Sequence, residues 1–158
     1  MKGTKMRGTI EEVSTNGECR QYCVTVGEKG FEDDLSGTPG ILVLNSETPH
    51  FLNMELSMQL EAGHLGDNML VQNLDNLSEY PKGTLLVIDK RVTLRIERKA
   101  AHYRKRFGKM FSRAALEYLD AYGGVECSVV KGVGERVCDR QDIEVFVQED
   151  IQVFKGAA

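Results

Sequence analysis

The densest chemistry in the chain lies in RKAAHYRKRFGK, residues 98–109. These twelve positions hold six Lys or Arg, one His and no acid, within a protein of net charge −4. Arg98, Lys99, His102, Arg104, Lys105 and Arg106 supply donors suited to phosphate, and a guanidinium fork grips two oxygens at once. His102 titrates near neutrality and can serve as acid or base. No carboxylate in the segment orients it, which weighs against catalysis there. A run of cations in a loop is equally consistent with a solvated face. A local basic patch on an otherwise acidic surface argues against general nucleic-acid affinity and suits a small anionic ligand better. Docking on an acidic partner or RNA is the alternative.

The other reactive side chains are four cysteines, Cys19, Cys23, Cys127 and Cys138. The chain is long enough to build a core without staples, so free thiols are expected rather than a disulfide framework. Cys19 and Cys23 have C-x3-C spacing, but no matching half follows at finger-like distance, so no metal is expected. Cys127 and Cys138 are the candidates for a reactive thiol. In GHLGDN (63–68), Asp67 and Asn68 are candidate ligand contacts, since Asn both donates and accepts. Asx residues in turns more often bond their own backbone. Glu32, Asp33 and Asp34 can approach a hard cation, although clustered acids in a Gly-rich loop are usually solvated.

The elements that must position these residues are mostly short β-segments punctuated by Gly and Asp or Asn. Residues 6–13 and 22–26 read as strands about the turn STNGE, 28–40 as a loop, and 41–45 as a buried strand. Thr48 and Pro49 suggest a helix start. Leu52, Met54, Leu56, Met58 and Leu60 alternate at strand period instead. The reading taken is a short helix or turn over 48–53, then a strand through Leu60. Residues 84–88 and 92–97 form a hairpin, its second arm pointing Val92, Leu94 and Ile96 inward. A helix is expected near 112–122, capped by Ser112 and ended by Gly123 and Gly124. Strands at 125–131 and 142–147 follow, with 151–154 as a further candidate.

The 158 residues form one domain, with 41% hydrophobic and 28% charged content ordinary for a globular protein. No apolar run reaches bilayer-spanning length, and the N-terminus lacks the apolar core of a secretory signal. The expectation is a cytoplasmic protein without membrane contact. Many short strands with one or two helices predict a mostly β, barrel-like architecture of largely antiparallel strands.

Three stretches, in order, carry a family resemblance. GHLGDN (63–68) resembles the G-x-x-G-E-N element of MOSC domains, the module named for the C-terminal part of molybdenum-cofactor sulfurase. NLSEYPKGTLLVIDKRVTLRIERK (76–99) is similar to that family's P-x-G-containing hairpin running into an R-K-P-C stretch. GGVECSVVKGVGERVCDRQDIEV (123–145) resembles its closing G-D-containing segment, and GFEDD (30–34) sits where the family has a G-x-x-G-D loop. The resemblance covers roughly residues 7–147 and implies a MOSC-like β-barrel. It further implies a role in molybdenum-cofactor metabolism, in which a cysteine after the second hairpin arm carries a persulfide or ligates the metal. Here that position falls at Ala100 or Ala101, which can do neither. Cys138 stands at the Gly of the closing turn.

What the resemblance implies is a divergent member that has lost cysteine-based sulfur transfer. It would bind an anionic, molybdopterin- or nucleotide-like ligand through Arg98, Lys99, His102, Arg104, Arg106, Asp67 and Asn68. An accessory role beside a molybdenum-cofactor protein partner goes with that reading. An active sulfur carrier using Cys127 or Cys138 is the alternative.

Overall fold

The computed structural model describes residues 4–15, 20–34 and 40–147. In chain order the elements are β1 (Thr4–Ser14), β2 (Arg20–Gln21), β3 (Cys23–Thr25), β4 (Ile41–Asn45), α1 (Glu47–Glu55) and β5 (Met69–Gln72). Then come β6 (Leu85–Ile88), β7 (Val92–Lys99), α2 (Tyr103–Phe107), α3 (Arg113–Tyr122), β8 (Val125–Lys131), β9 (Arg136–Cys138) and β10 (Asp142–Val147). Seven strands, in the order β10-β6-β7-β8-β4-β5-β1, close into a barrel through the β1–β10 pairing. The short β2 lies outside this ring, paired to the end of β1 at Val13 and Ser14. Neighbours are antiparallel except β4 and β5, which run parallel with α1 in the crossover between them. The expected mostly β barrel is the fold observed.

Side-chain alternation divides the packing into two clusters. Ile10, Val43, Met69, Leu94, Ile96, Cys127 and Ile143 belong to the barrel interior. Leu42, Leu44 and Leu70 point outward to Leu52 of α1 and to Ala115, Leu116 and Leu119 of α3. β4 is therefore buried on both faces, which explains its unbroken apolar sequence ILVL. Each fully buried Leu there contributes on the order of 2 kcal/mol. Helix α3 begins as its sequence predicts: Ser112 Oγ accepts from the Ala115 amide at 3.1 Å. Gly124, at φ 82°, turns the chain into β8, where a Cβ would lie 2.3 Å from the Val43 carbonyl oxygen.

Four expectations need correction. Helix α1 extends to Glu55, and no strand reaches Leu60. The backbone of Leu60 is instead satisfied by one side chain: Asn53 Nδ2 donates to its carbonyl at 2.9 Å, and its amide donates to Asn53 Oδ1 at 2.8 Å. A helical amide thus replaces a strand neighbour, while Leu56, Met58 and Leu60 rest against the helix-side cluster. The 22–26 strand is interrupted at the exposed Tyr22 and shortened to Cys23–Thr25. The basic run at 103–107 is helical rather than a loop, because buried Tyr103 donates its hydroxyl to the Gly123 carbonyl at 2.7 Å.

The fourth correction is chemical. Cys23 and Cys138 are joined in a disulfide, directly opposite one another on β3 and β9. Sequence spacing gave no hint of this pairing, since 115 residues separate them. Cys127 is free and buried. Cys19 and the candidate strand at 151–154 lie outside the described residues. Among the described residues, no helix is long and apolar enough to cross a membrane.

Candidate functional site

At its far end, β7 brings the start of the basic segment against β8. Arg98 and Glu126 are register partners, and Arg98 Nη1 donates to Glu126 Oε1 at 2.9 Å. Next to this pair opens a cleft of about 300 Å³, lined among others by Lys29, Glu97, Arg98, Glu126, Cys127 and Ser128. A second cleft of about 540 Å³, lined by residues of the 27–34 loop including Glu32 and Asp34, shares Glu28, Lys29 and Gly40 with the first. Gly40 makes this junction possible: at φ 69° its missing Cβ would stand 2.3 Å from the Cys127 carbonyl oxygen.

The charges of the first cleft are mixed. Glu97 Oε2 accepts from Ser128 Oγ at 2.6 Å and from Arg95 Nε at 2.8 Å. The Ser128 hydroxyl, and then Arg95, hold the Glu97 carboxyl below its usual range. Glu126 is 7% exposed, and its partner Arg98 reaches toward solvent. The cleft therefore offers carboxylate acceptors beside two cations, Lys29 and Arg98. Carboxylates of this kind can accept from N–H donors, and the two cations can pair with an anionic group.

Cys127 lines this cleft but stays unreactive by its surroundings. It is 2% exposed, and burial, followed by Glu97 and Glu126, pushes its thiol well above the ordinary range. A protonated buried thiol is neither nucleophile nor soft ligand. Ala100 packs in the helix-side cluster with Leu42 and Leu44, apart from the barrel-interior cluster that holds Cys127, and Ala101 is exposed. Cys127 therefore does not stand in for a thiol at 100 or 101. Cys138 is spent in the disulfide.

The remaining sequence candidates do not converge on the cleft. Lys99 is exposed at the end of β7, and Arg104 pairs with Asp120 on α3. Arg106 is exposed, its guanidinium 5.8 Å from the Phe107 ring centre. His102 Nε2 lies 2.8 Å from the Leu65 carbonyl oxygen, which can only accept, so Nε2 carries the proton. Its Nδ1 is buried without a partner, and desolvation lowers its pKa. Buried Asp67 accepts from the Gly63 and Leu65 amides at 3.0 and 3.3 Å, and burial raises its pKa to about 6. Asn68 joins two segments: Oδ1 accepts from the Leu42 amide at 2.8 Å and Nδ2 donates to the Ser14 carbonyl at 3.1 Å.

Lys29, Glu97, Glu126 and Ser128 were missed as site residues. The available signal was β-pairing: once 92–99 and 125–131 are strands, Arg98 needs a partner on β8, and Glu126 is the acid there. Glu32, Asp33 and Asp34 form no cation site; among the described residues, no group of three His, Cys, Asp or Glu is placed to hold a metal ion. The molybdenum cofactor implied by the resemblance therefore fits in part. No described thiolate is available to ligate molybdenum, whereas the carboxylates and cations of the cleft suit a pterin ring with its phosphate.

No family model matches the chain, and no curated protein does. Solved structures do share its fold. YuaD from Bacillus subtilis superposes at a TM-score of 0.72 with 13% identity, covering 93% of this chain and 100% of YuaD. A hypothetical protein superposes at 0.66 with 14% identity, over 89% of this chain and 68% of its own. YiiM from Escherichia coli superposes at 0.64 with 17% identity, over 89% of this chain and 69% of YiiM. With the closed seven-stranded barrel and the three α-helices among the described residues, these likenesses make the fold MOSC-like.

Proposed function

We propose that this MOSC-like domain is a ligand-binding or accessory module in molybdenum-cofactor metabolism that has lost cysteine-based sulfur transfer. Its ligand is a small pterin- or nucleotide-like molecule with an anionic tail. The observation that carries the reading is the cleft over the Arg98–Glu126 pair. Glu126 Oε1 accepts from Arg98, and the carboxylate carries a second oxygen, Oε2, able to accept. A pterin or guanine edge presents adjacent N–H groups that such an oxygen accepts, while Lys29 and Arg98 balance the phosphate. Sulfur chemistry is disfavoured by the alanines at 100 and 101 and by the protonated state of Cys127.

Titration calorimetry with a pterin monophosphate and with GMP tests this. Binding is expected for at least one, and it should weaken roughly tenfold or more in Lys29→Ala and in Glu126→Gln, the loss of one charge-assisted bond. Absence of binding by both probes overturns the reading. A second reading, docking on an acidic partner or RNA, draws on Lys105, Arg106 and Lys109, which are exposed and line neither half of the cleft. Association that falls steeply with salt and is lost on replacing those three cations would favour it.

A further inference from the structure

The wall of the cleft is tethered to a disulfide. β3 and β9 form a separate two-stranded ladder of three register pairs, Cys23↔Cys138, Val24↔Val137 and Thr25↔Arg136. Val24 and Val137 are buried in the barrel-interior cluster, so this ladder caps the barrel rather than extending its sheet. From β3 the chain passes directly into the cleft wall. Val26 donates to the Glu135 carbonyl at 2.9 Å and accepts from the Gly134 amide at 2.8 Å. It then bridges to Phe31, with Glu32 donating back to the Thr25 carbonyl at 2.8 Å. Residues 27–34 beyond this bridge line the larger cleft, and Lys29 lines both.

A two-stranded ladder of three pairs is marginal on its own. It is held by the buried Val24 and Val137, with Val26 and Phe31 beside them in the same cluster, by backbone bonds that include the Asp139 amide to the Tyr22 carbonyl at 2.9 Å, and by the disulfide. Both cysteines are half-buried rather than sealed in the core.

We propose that Cys23–Cys138 is a redox switch that sets the order of the 27–34 cleft wall. In the oxidised protein the disulfide holds β3 on β9 and keeps Lys29 and its loop against the Arg98 side of the cleft. A dithiol reductant reverses this: its thiolate forms a mixed disulfide with one cysteine and expels the other. The reductant's second thiolate then displaces the remaining cysteine. Cys23 and Cys138 end as protonated thiols, and the reductant leaves as the disulfide. The freed ladder opens locally while the closed barrel persists. The consequence for ligand retention rests on the proposed cleft function; the change in order does not.

Hydrogen exchange with mass spectrometry, on the full chain with and without dithiothreitol, tests the switch. Non-reducing peptide mapping first establishes the Cys23–Cys138 link; its absence in air-oxidised protein overturns the proposal. On reduction, amides in 24–34 and 134–138 should exchange roughly tenfold faster or more, with β6 and β7 unchanged. Unchanged exchange at 24–34, or a uniform rise across the barrel, overturns it. A Cys23→Ser/Cys138→Ser variant, made in a Cys19→Ser background to block disulfide exchange, should reproduce the reduced pattern and ignore dithiothreitol. Pterin monophosphate and GMP calorimetry run in parallel separates the two readings. If neither probe binds while exchange responds to reduction, the function fails and the switch stands.

Discussion

Arg98 and Glu126 meet at 2.9 Å across β7 and β8, and this pair divides the cationic segment into two parts with different fates. Arg98 is drawn into a cleft by a buried carboxylate. The cations of α2 are carried past it onto the protein surface by Tyr103, whose ring is buried and whose hydroxyl is held by Gly123. Replacing Arg98 with Met leaves Glu126 buried and unpaired. The expected cost is about 1–3 kcal/mol of unfolding free energy, the lower part of that range because Arg98 is itself largely exposed. Urea denaturation of the variant measures it, and Arg98→Met/Glu126→Gln should recover part of the loss. A double variant no more stable than the single one would show that the pair is not coupled.

Cys127 should behave as an inert core thiol. Iodoacetamide should leave it unmodified in native protein over times that fully label it in urea, with a native rate that tracks barrel opening rather than thiolate fraction. An Ala101→Cys variant should differ, since position 101 is exposed and Arg98, Lys99 and Arg104 are close in sequence. Its added thiol should label in native protein at a rate rising with pH through the ordinary thiol range. Fast native labelling of Cys127 would return sulfur chemistry to this cleft.

Periodicity made much of the barrel legible. The 92–97 alternation, the Ser112 cap, the double glycine and the ILVL strand each state a local rule that the fold obeys. The segment through Leu60 failed because its alternation is real while its hydrogen-bond partner is the Asn53 side chain, which no strand pattern encodes. The disulfide failed for a similar reason: Cys23 and Cys138 meet through a ladder between segments 115 residues apart. The site was half legible. The density of charge singled out Arg98, but the acids that shape the cleft lie on another strand, and their relevance appears only with the register.

Asn68 offers a test of what the GHLGDN segment does. Its side chain satisfies the Leu42 amide and the Ser14 carbonyl, both buried, and so ties β1 to β4. Asn68→Leu removes both of these buried bonds, at about 1–3 kcal/mol each. A loss of roughly 2–5 kcal/mol by urea denaturation is expected, while affinity for a cleft ligand in the folded fraction stays unchanged. An affinity loss without a stability loss would instead make Asn68 a ligand contact.

Asp67 and His102 hold the same loop and should drive stability in opposite directions with pH. Asp67 binds the Gly63 and Leu65 amides, and His102 binds the Leu65 carbonyl. Burial raises the Asp67 pKa from 3.8 to about 6, so between those values the folded chain holds a proton that the unfolded chain has released. Its contribution is full below pH 4 and is lost as pH rises through 6, by an amount on the order of 3 kcal/mol. Desolvation lowers the His102 pKa below its ordinary 6.5, so its contribution is full above 6.5 and falls as the pH drops through the folded value. The two slopes partly cancel between pH 4 and 6.5 in the native sequence. Asp67→Asn should therefore expose a stability that drops with acid, and His102→Gln one that climbs with acid. Urea denaturation from pH 4 to 7.5 on both variants measures this, and parallel profiles for the two would refute the assignment.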